Sequence, residues 1–390
     1  MTHPLCRELS MDSKQRMLAA LTGGLDADFP VVMPYVGIFL RDHWEEVTSQ
    51  PWWTFRSPDL HAWLNVEDDL QTKLDMDWVD CQTCPSTSWR TGHRVEASGD
   101  SVFLMDSVGR VREELQRQPV GGTNILIGRA SLIQSMEDVD RWIGSEDGQW
   151  AVHDARSLVR SGKLDYVKMV AEKYGSRRFL HAMVGTPYSR ALVDFFGFEG
   201  MMVNLLKRPR LVEEVLRRLL DDAKEQVRAY ANAGVHGVFV EECLSSADEI
   251  PLDKFSEFVL PYNRELVSEV RRLGMKSVYY PCGDMADRLE QVIVEIRPDG
   301  LSLEESKKGF KVDIAKLDDT VAGRLCIFGN LDSIRVLQDG TRDELRKEIQ
   351  RQLDIGRKHR KFVMSLGSPV TPKTSVSRVR EYIDLVRELE

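Results

Sequence analysis

Short apolar runs rich in branched side chains alternate along the chain with longer stretches whose apolar residues recur every three or four positions. The short runs have the length and composition of buried β-strands, and the stretches between them have the period of amphipathic helices. Eight runs are predicted to be strands: Pro30–Val36, Met76–Cys81, Phe179–Val184, Gly237–Glu241, Lys276–Tyr280, Gly300–Leu303, Leu325–Phe328 and Phe362–Ser365.

The helices are clearest in the second half of the chain, where each predicted strand is followed by an amphipathic stretch of ordinary helix length. Four of them are predicted with defined ends: Pro209–Ala233, Leu252–Leu273, Thr341–Lys358 and Ser375–Leu389. Because strands that alternate with helices of this length pair in parallel, the chain is predicted to belong to the α/β class.

Eight strand–helix units favour a closed (β/α)8 TIM barrel, with an open doubly wound sheet as the alternative. Ser10–Leu21 predicts an N-terminal helical extension ahead of the first strand. Residues 82–178 break the alternation between strands 2 and 3 with polar, turn-rich sequence and a predicted helix near Glu137–Trp150. We interpret this segment as an insertion over the barrel mouth, so that residues 1–390 form a single domain.

Composition and charge limit the kinds of partner and the cellular location that we expect. The 42% hydrophobic and 29% charged content is that of a globular protein. The net charge of −9 argues against nucleic acid or an anionic membrane as the partner. The apolar runs are too short to span a bilayer, and the first residues lack the layout of a secretion signal. Six dispersed cysteines form no disulfide framework, so we expect free thiols and a cytoplasmic location.

The residues that end the predicted strands are the natural place to look for chemistry, because TIM-barrel active sites are built at the carboxyl ends of the strands. Thiols, carboxylates, phenols, an amide and an imidazole gather there: Tyr35, His181, Glu241, Glu242, Cys243, Tyr280, Cys282, Glu304, Glu305 and Asn330. His181 is a candidate ligand or a core imidazole, and Asn330 can hydrogen-bond a substrate.

Glu242, Cys243 and Cys282 form a candidate metal-ligand set. A thiolate at a strand end followed by the turn-forming Gly283 suits zinc, and Glu242 with Cys243 offers a hard and a soft donor side by side. Successive strand residues point to opposite faces, so at most one of Glu241 and Glu242 points inward. The alternative is a pair of inert buried thiols.

Several segments resemble the uroporphyrinogen decarboxylase superfamily, which contains the haem-pathway decarboxylase and corrinoid-dependent methyltransferases. The resemblance is carried by Arg16–Leu21, Gly185–Tyr188, Phe255–Tyr262, Tyr280–Asp284 and Phe328–Asp332. It implies a (β/α)8 barrel, in agreement with the strand count.

The resemblance also separates the two branches of this superfamily. The decarboxylase carries an arginine-rich Arg-Gln-Ala-Gly-Arg segment after the first strand for substrate carboxylates, and this chain instead has Tyr35–His43 there. The methyltransferases often bind zinc through a His-x-Cys pair and a later cysteine. Here Tyr280 stands at the histidine position, Cys282 is kept, and Ser368 stands at the last cysteine position.

The resemblance therefore implies an O-demethylase-type methyltransferase that transfers the methyl group of a small compound, a methoxylated aromatic, to the Co(I) corrinoid of a partner protein. We expect Tyr280 and Glu304 to act in catalysis, and His181, Asn330 and Tyr35 to bind the substrate. Zinc at Glu242, Cys243 and Cys282 is the expected metal, and a homodimer is left open. The alternatives are a decarboxylase of a small acid and a non-catalytic corrinoid-binding barrel.

Overall fold

The computed structural model describes residues 11–24, 28–121, 131–143, 154–307 and 309–390. The ten strands in this part of the chain are β1 Trp78–Asp80, β2 His93–Ser98, β3 Ser101–Asp106, β4 Val111–Leu115, β5 Phe179–Gly185, β6 Gly237–Glu242, β7 Lys276–Pro281, β8 Gly300–Ser302, β9 Cys326–Phe328 and β10 Phe362–Val363. Seven of them form a parallel sheet in the order β1-β5-β6-β7-β8-β9-β10, and β2-β3-β4 form a second sheet. Each parallel strand therefore pairs with the next one along the chain, as in a TIM barrel.

The segment Pro30–Val32 joins the two edges of the parallel sheet. Val32 donates a backbone hydrogen bond of 2.9 Å to Met364, and Met364 donates one of 2.7 Å to Pro30. On the other side, the Asp77 amide donates a bond of 3.1 Å to the Val31 carbonyl. The first predicted strand is thus present as an isolated bridge between the regions of β10 and β1, and the (β/α)8 barrel predicted from the sequence is confirmed.

A buried carboxylate stabilises the barrel junction, the place where Pro30–Val32 joins the two edges of the parallel sheet. Asp77 is fully buried, and its Oδ2 accepts a hydrogen bond of 2.7 Å from the Val31 amide. Its Oδ1 pairs with Arg16 at 2.6 Å, and its Oδ2 also pairs with Arg387. Asp77 therefore links the first bridge, the first helix and the last helix around one charge.

Helices surround the barrel. The α-helices described are α1 Ser13–Thr22, α2 Val36–Val47, α3 Leu60–Leu74, α4 Thr87–Gly92, α5 Met136–Trp142, α6 Ala155–Arg160, α7 Asp165–Tyr174, α8 Pro187–Arg190, α9 Gly197–Lys207, α10 Pro209–Asn232, α11 Leu252–Phe258, α12 Leu260–Arg272, α13 Leu289–Gln291, α14 Ile314–Val321, α15 Arg342–His359 and α16 Val376–Leu389. Shorter 3-10 or π-helical stretches cover Thr54–Arg56, Ala191–Phe196, Val292–Ile296 and Ser333–Gln338. No helix of the described ranges is long and apolar enough to cross a membrane.

The predicted helices agree with these bounds to within three residues, with two differences. Leu252–Leu273 is divided into α11 and α12, since Val259 adopts φ −114° and Pro261 stands at the start of the second helix. The helix predicted at Glu137–Trp150 is α5, which ends at Trp142; residues 144–150 and Ser10 lie outside the described residues.

The insertion contains a sheet that the apolar pattern did not predict. β2, β3 and β4 form an antiparallel meander, with Val95 opposite Leu104 and Val102 opposite Leu115. Most side chains of β2 and β4 are exposed, so their residues lack the apolar content of a buried strand. The small core of this sheet packs against tryptophan side chains and consists of Val102, Leu104 and Leu115.

Aromatic side chains from several strands fill the barrel interior. Trp78 on β1 packs on His181 of β5, with ring centroids 3.9 Å apart. Phe239 on β6 lies 6.0 Å from Trp78 and stacks on Tyr280 of β7 at 5.3 Å. Side chains that meet from different strands show that the barrel is a packed core, and they form the floor beneath its mouth.

Candidate active site

The carboxyl end of the barrel brings Tyr35 and Glu241 together. Tyr35 precedes α2 in the left-handed conformation, with φ 58° and ψ 44°, which is costly for a residue other than glycine and recurs at functional sites. Its hydroxyl donates a hydrogen bond of 2.7 Å to Glu241 Oε1. Burial, followed by the neighbouring Tyr280, raises the pKa of Tyr35, so the phenol keeps its proton at neutral pH.

Cys243 and Cys282 lie side by side at the ends of β6 and β7, with their Sγ atoms 3.0 Å apart. Glu241 Oε1 lies 3.7 Å from Cys243 Sγ. The hydrogen bond with Cys282, together with burial, raises the pKa of the Cys243 thiol. Two sulfur atoms bound to one tetrahedral zinc ion would be about 3.8 Å apart, given Zn–S bonds of about 2.3 Å. The two sulfur atoms of the pair are therefore closer together than two zinc-bound thiolates would be.

Glu242 lies on the other face of β6 from Glu241. Its side chain is fully buried, and its carboxyl accepts hydrogen bonds of 3.0 Å from Ser189 Oγ and 2.7 Å from Asn263 Nδ2. Burial raises the pKa of Glu242 from its ordinary value of 4.5 to about 7, although these hydrogen bonds oppose the rise.

Because Glu242 faces the helices, the structure does not bring the predicted set of Glu242, Cys243 and Cys282 together around one point. Among the residues that the structure describes, no group of three or more histidine, cysteine, aspartate or glutamate side chains has the arrangement of a metal site.

Tyr280 and Glu304 are both held by hydrogen bonds to the backbone. The Tyr280 hydroxyl is buried and donates a bond of 2.8 Å to the Gly367 carbonyl. Glu304 Oε2 accepts a bond of 2.9 Å from the Gly283 amide. Asn330 is buried and donates a bond of 3.3 Å to the Glu304 carbonyl. These three residues therefore brace the loops around the mouth.

Ser368, at the position of the last zinc-binding cysteine implied by the resemblance, belongs to a different cluster. Its hydroxyl donates a bond of 2.8 Å to Glu305 Oε2 and accepts one of 2.7 Å from Lys307 Nζ. Lys307 also forms an ion pair with Glu305. This cluster is a hydrogen-bonded ion pair and provides no thiolate.

His181 lies inside the barrel, and only 4% of its surface is exposed. Its Nε2 contacts the carboxylate of Asp80, the last residue of β1. Neither ring nitrogen makes a hydrogen bond of good geometry within the described ranges. The ring packs on Trp78, so His181 supports Asp80 from the barrel core.

A cavity of about 700 Å³ opens beside Tyr35 and Glu241. This volume is within the usual range for small-molecule sites. Five aromatic side chains line it: Tyr35, Trp44, Trp52, Phe55 and Tyr166. Polar groups reach it from β1, the helices and the insertion: Arg41, Arg56, Glu67, Asp80, Gln116, Arg117, Gln118 and Glu241. The cavity wall is thus a mixture of aromatic, aliphatic, amide and charged side chains.

Comparison with known proteins identifies the family of the chain. The sequence profile of the uroporphyrinogen decarboxylase (URO-D) family matches residues 151–389. The chain belongs to the uroporphyrinogen decarboxylase family. The methylcobamide:CoM methyltransferase MtbA of Methanosarcina acetivorans is 25% identical over 231 residues, which are 58% of this chain and 61% of that protein. The uroporphyrinogen decarboxylase of Solibacter usitatus is 24% identical over 246 residues, covering 60% and 68%.

A solved methyltransferase from Methanosarcina mazei has the same fold as this URO-D family protein. Its TM-score is 0.66 at 19% identity, and the match covers 97% of this chain and 99% of that chain. The match to the MtbA of M. acetivorans spans about three fifths of that relative's length.

Two residues of the cavity in this URO-D family protein were missed by the sequence analysis. Glu67 of α3 and Tyr166 of α7 line its closed part, and both are buried. Glu67 lies in the buried stripe of α3 with Leu60, Trp63 and Leu70. A carboxylate at a position where the helical period predicts an apolar residue is the signal that would have identified it.

Proposed function

We propose that this URO-D family protein is a corrinoid-dependent methyltransferase that removes the methyl group of a small methoxylated aromatic compound and passes it to the Co(I) corrinoid of a partner protein. The relatives named methylcobamide:CoM methyltransferase support the reaction class. Zinc, a cytoplasmic location and a homodimer stay predictions.

The observation that carries the proposal is the aromatic cavity beside Tyr35 and Glu241. Its volume of about 700 Å³ and its indole and phenyl walls suit a substrate with one planar ring. It lies at the carboxyl end of the barrel, where a partner can approach the substrate. The decarboxylase-type arginine segment is replaced by Tyr35–His43, which supports an uncharged ring over a polycarboxylate.

Tyr35 is the residue that we propose to assist the leaving oxygen. An aryl methyl ether is inert until the charge that develops on its oxygen is stabilised, and the corrinoid supplies the nucleophile that takes the methyl group. Tyr35 Oη remains protonated, lines the cavity and, with no substrate bound, donates its single proton to Glu241 at 2.7 Å. In this proposal the hydroxyl turns from Glu241 to the ether oxygen when the substrate binds, and donates that proton to it instead. Tyr280 is less suited to this role because its hydroxyl is buried and donates its hydrogen bond to the Gly367 carbonyl.

The thiol pair does not fit zinc in its present arrangement, so no step of this proposal runs through a metal. Elemental analysis of the purified protein tests the zinc prediction directly. One zinc per chain that is lost in both Cys243→Ser and Cys282→Ser would establish a metal site at the pair. A chain without zinc that still transfers methyl groups would end that prediction.

The substrate class is tested with chemically reduced cob(I)alamin in place of the partner protein. Guaiacol, methanol, methylamine and S-methyl coenzyme M are supplied one at a time as methyl donors, and methylcobalamin is followed by absorbance. We expect methylcobalamin with guaiacol alone. Transfer from methanol or methylamine would move the substrate to another class, and carbon dioxide release from a panel of small acids without methyl transfer would favour a decarboxylase.

A further inference from the structure

The closed part of the cavity contains a polar end that the proposed reaction does not use. Glu67 on α3, Asp80 at the end of β1 and Tyr166 on α7 all line it. Glu67 is 6% exposed and Tyr166 only 1% exposed, whereas Arg56 and Arg117 of the same cavity have side chains that are 54% and 40% exposed. The Glu67 and Tyr166 side chains therefore lie deep, the Asp80 side chain is 35% exposed, and the two arginines lie at the solvent side.

The hydrogen bonds of this end are incomplete. Gln71 donates a bond of 2.9 Å to Glu67 Oε1, and within the described ranges no hydrogen bond to Glu67 Oε2 is formed. The Tyr166 hydroxyl, on a side chain 99% buried, makes no hydrogen bond with any described residue and faces the cavity. Neither oxygen atom is sealed from solvent, so both can hydrogen-bond to water or to a ligand group that enters the cavity.

The charge at this end selects against an anion. Among the residues that the structure describes, the His181 ring is the one possible cation that contacts Asp80. Burial raises the pKa of Glu67 to about 7. Each arginine of the cavity already has a carboxylate partner, as Arg56 has Glu113. A ligand carboxylate would therefore lie beside acidic side chains. An ammonium group would lose its hydration at a site where Glu67 is uncharged below pH 7.

We propose that Glu67, Asp80 and Tyr166 form a subsite that binds an uncharged hydroxyl group of the substrate, so that the preferred substrate class is a methoxyphenol. The hydroxyl donates a hydrogen bond to the Asp80 carboxylate and accepts one from Tyr166 or the Glu67 carboxyl. The ring then lies among Trp44, Trp52 and Phe55. That the substrate carries a methoxy group follows from the proposed function, on which this part of the proposal rests. That it carries a hydroxyl group follows from the cavity alone.

Calorimetric titration without corrinoid tests the hydroxyl subsite separately from methyl transfer. Wild-type protein is titrated with guaiacol, anisole, which lacks the hydroxyl, and catechol, which lacks the methyl group. A hydrogen bond to a charged acceptor predicts that guaiacol binds at least about tenfold more tightly than anisole. Catechol should bind as guaiacol does. Equal affinity for guaiacol and anisole overturns the subsite, and this comparison needs no variant.

Substitutions test which side chains bind the substrate hydroxyl. Asp80→Asn should reduce the guaiacol preference by at least about threefold, and so should at least one of Glu67→Leu and Tyr166→Phe, according to which of these two residues donates to the hydroxyl. Circular dichroism confirms the fold of each variant. Asp68→Asn is the matched control, because Asp68 is the next residue of α3 and pairs with Lys173 at the surface. An unchanged preference in all three variants refutes the assignment, as does tighter binding of a methoxybenzylammonium ion than of guaiacol. Intact hydroxyl preference without methyl transfer would refute the proposed function and leave the subsite standing.

Discussion

Replacing Glu242 by glutamine should make the protein more stable at alkaline pH and leave its stability nearly unchanged at pH 5. The carboxyl is fully buried behind β6, and its pKa is raised from 4.5 to about 7 by loss of water. The folded protein thus keeps a proton that the unfolded chain releases between these values. Stability falls as the pH rises through this range and stays lower above it.

The magnitude follows from the two pKa values. A rise from 4.5 to about 7 corresponds to roughly 3 kcal/mol at pH 8.5 and less than about 1 kcal/mol at pH 5. Glutamine removes the ionisation and keeps the shape. Its amide can be accommodated because Asn263 Oδ1 has no hydrogen-bond partner in the described part of the chain, and it can accept from the glutamine after a flip of the Asn263 amide.

The assay is urea unfolding at pH 5 and at pH 8.5, followed by tryptophan fluorescence. We expect Glu242→Gln to gain about 3 kcal/mol over wild type at pH 8.5 and to equal it within about 1 kcal/mol at pH 5. Glu257→Gln is the control, because Glu257 pairs with Lys254 on the surface. A Glu242→Gln effect of the same size at both pH values would refute the reasoning.

Two further predictions concern the mouth and the barrel junction. Tyr35→Phe should lower the rate of methyl transfer by about 100-fold with little change in stability, whereas Tyr280→Phe should cost about 1 kcal/mol of stability and keep the rate within about threefold. Equal losses of rate in the two variants would contradict the assignment of roles. Asp77→Asn should cost about 3–5 kcal/mol in urea unfolding, because it removes a fully buried carboxylate from two partly buried guanidinium groups. Asp75→Asn, at an exposed ion pair, should cost less than about 1 kcal/mol, and a similar cost for both would contradict the junction's importance.

The fold could be predicted from the sequence because the barrel strands are apolar on both faces and short. Even the first strand, which is reduced to a bridge at Val31, was predicted, since its apolar run is set by burial and not by the length of its hydrogen-bonded ladder. The β2–β4 meander was missed because its outer strands are exposed and carry no apolar run.

The site could be predicted only in part. Strand alternation showed that at most one of Glu241 and Glu242 points inward, but only the packing of Asn263 and Ser189 around Glu242 decides which one. Glu67 and Tyr166 come from helices, so a search restricted to strand ends does not reach them. Contacts between distant segments, which a local pattern does not encode, supplied the rest.

The measurement that tests the central claim most directly is the transfer of an isotopic label. Guaiacol carrying ¹³C in its methoxy group is incubated with the protein and chemically reduced cob(I)alamin, and the products are followed by NMR. The account predicts ¹³C-methylcobalamin and catechol in equal amounts, formed only when the protein is present. Labelled guaiacol that stays intact under these conditions, with folded protein and fully reduced cobalamin, would contradict it.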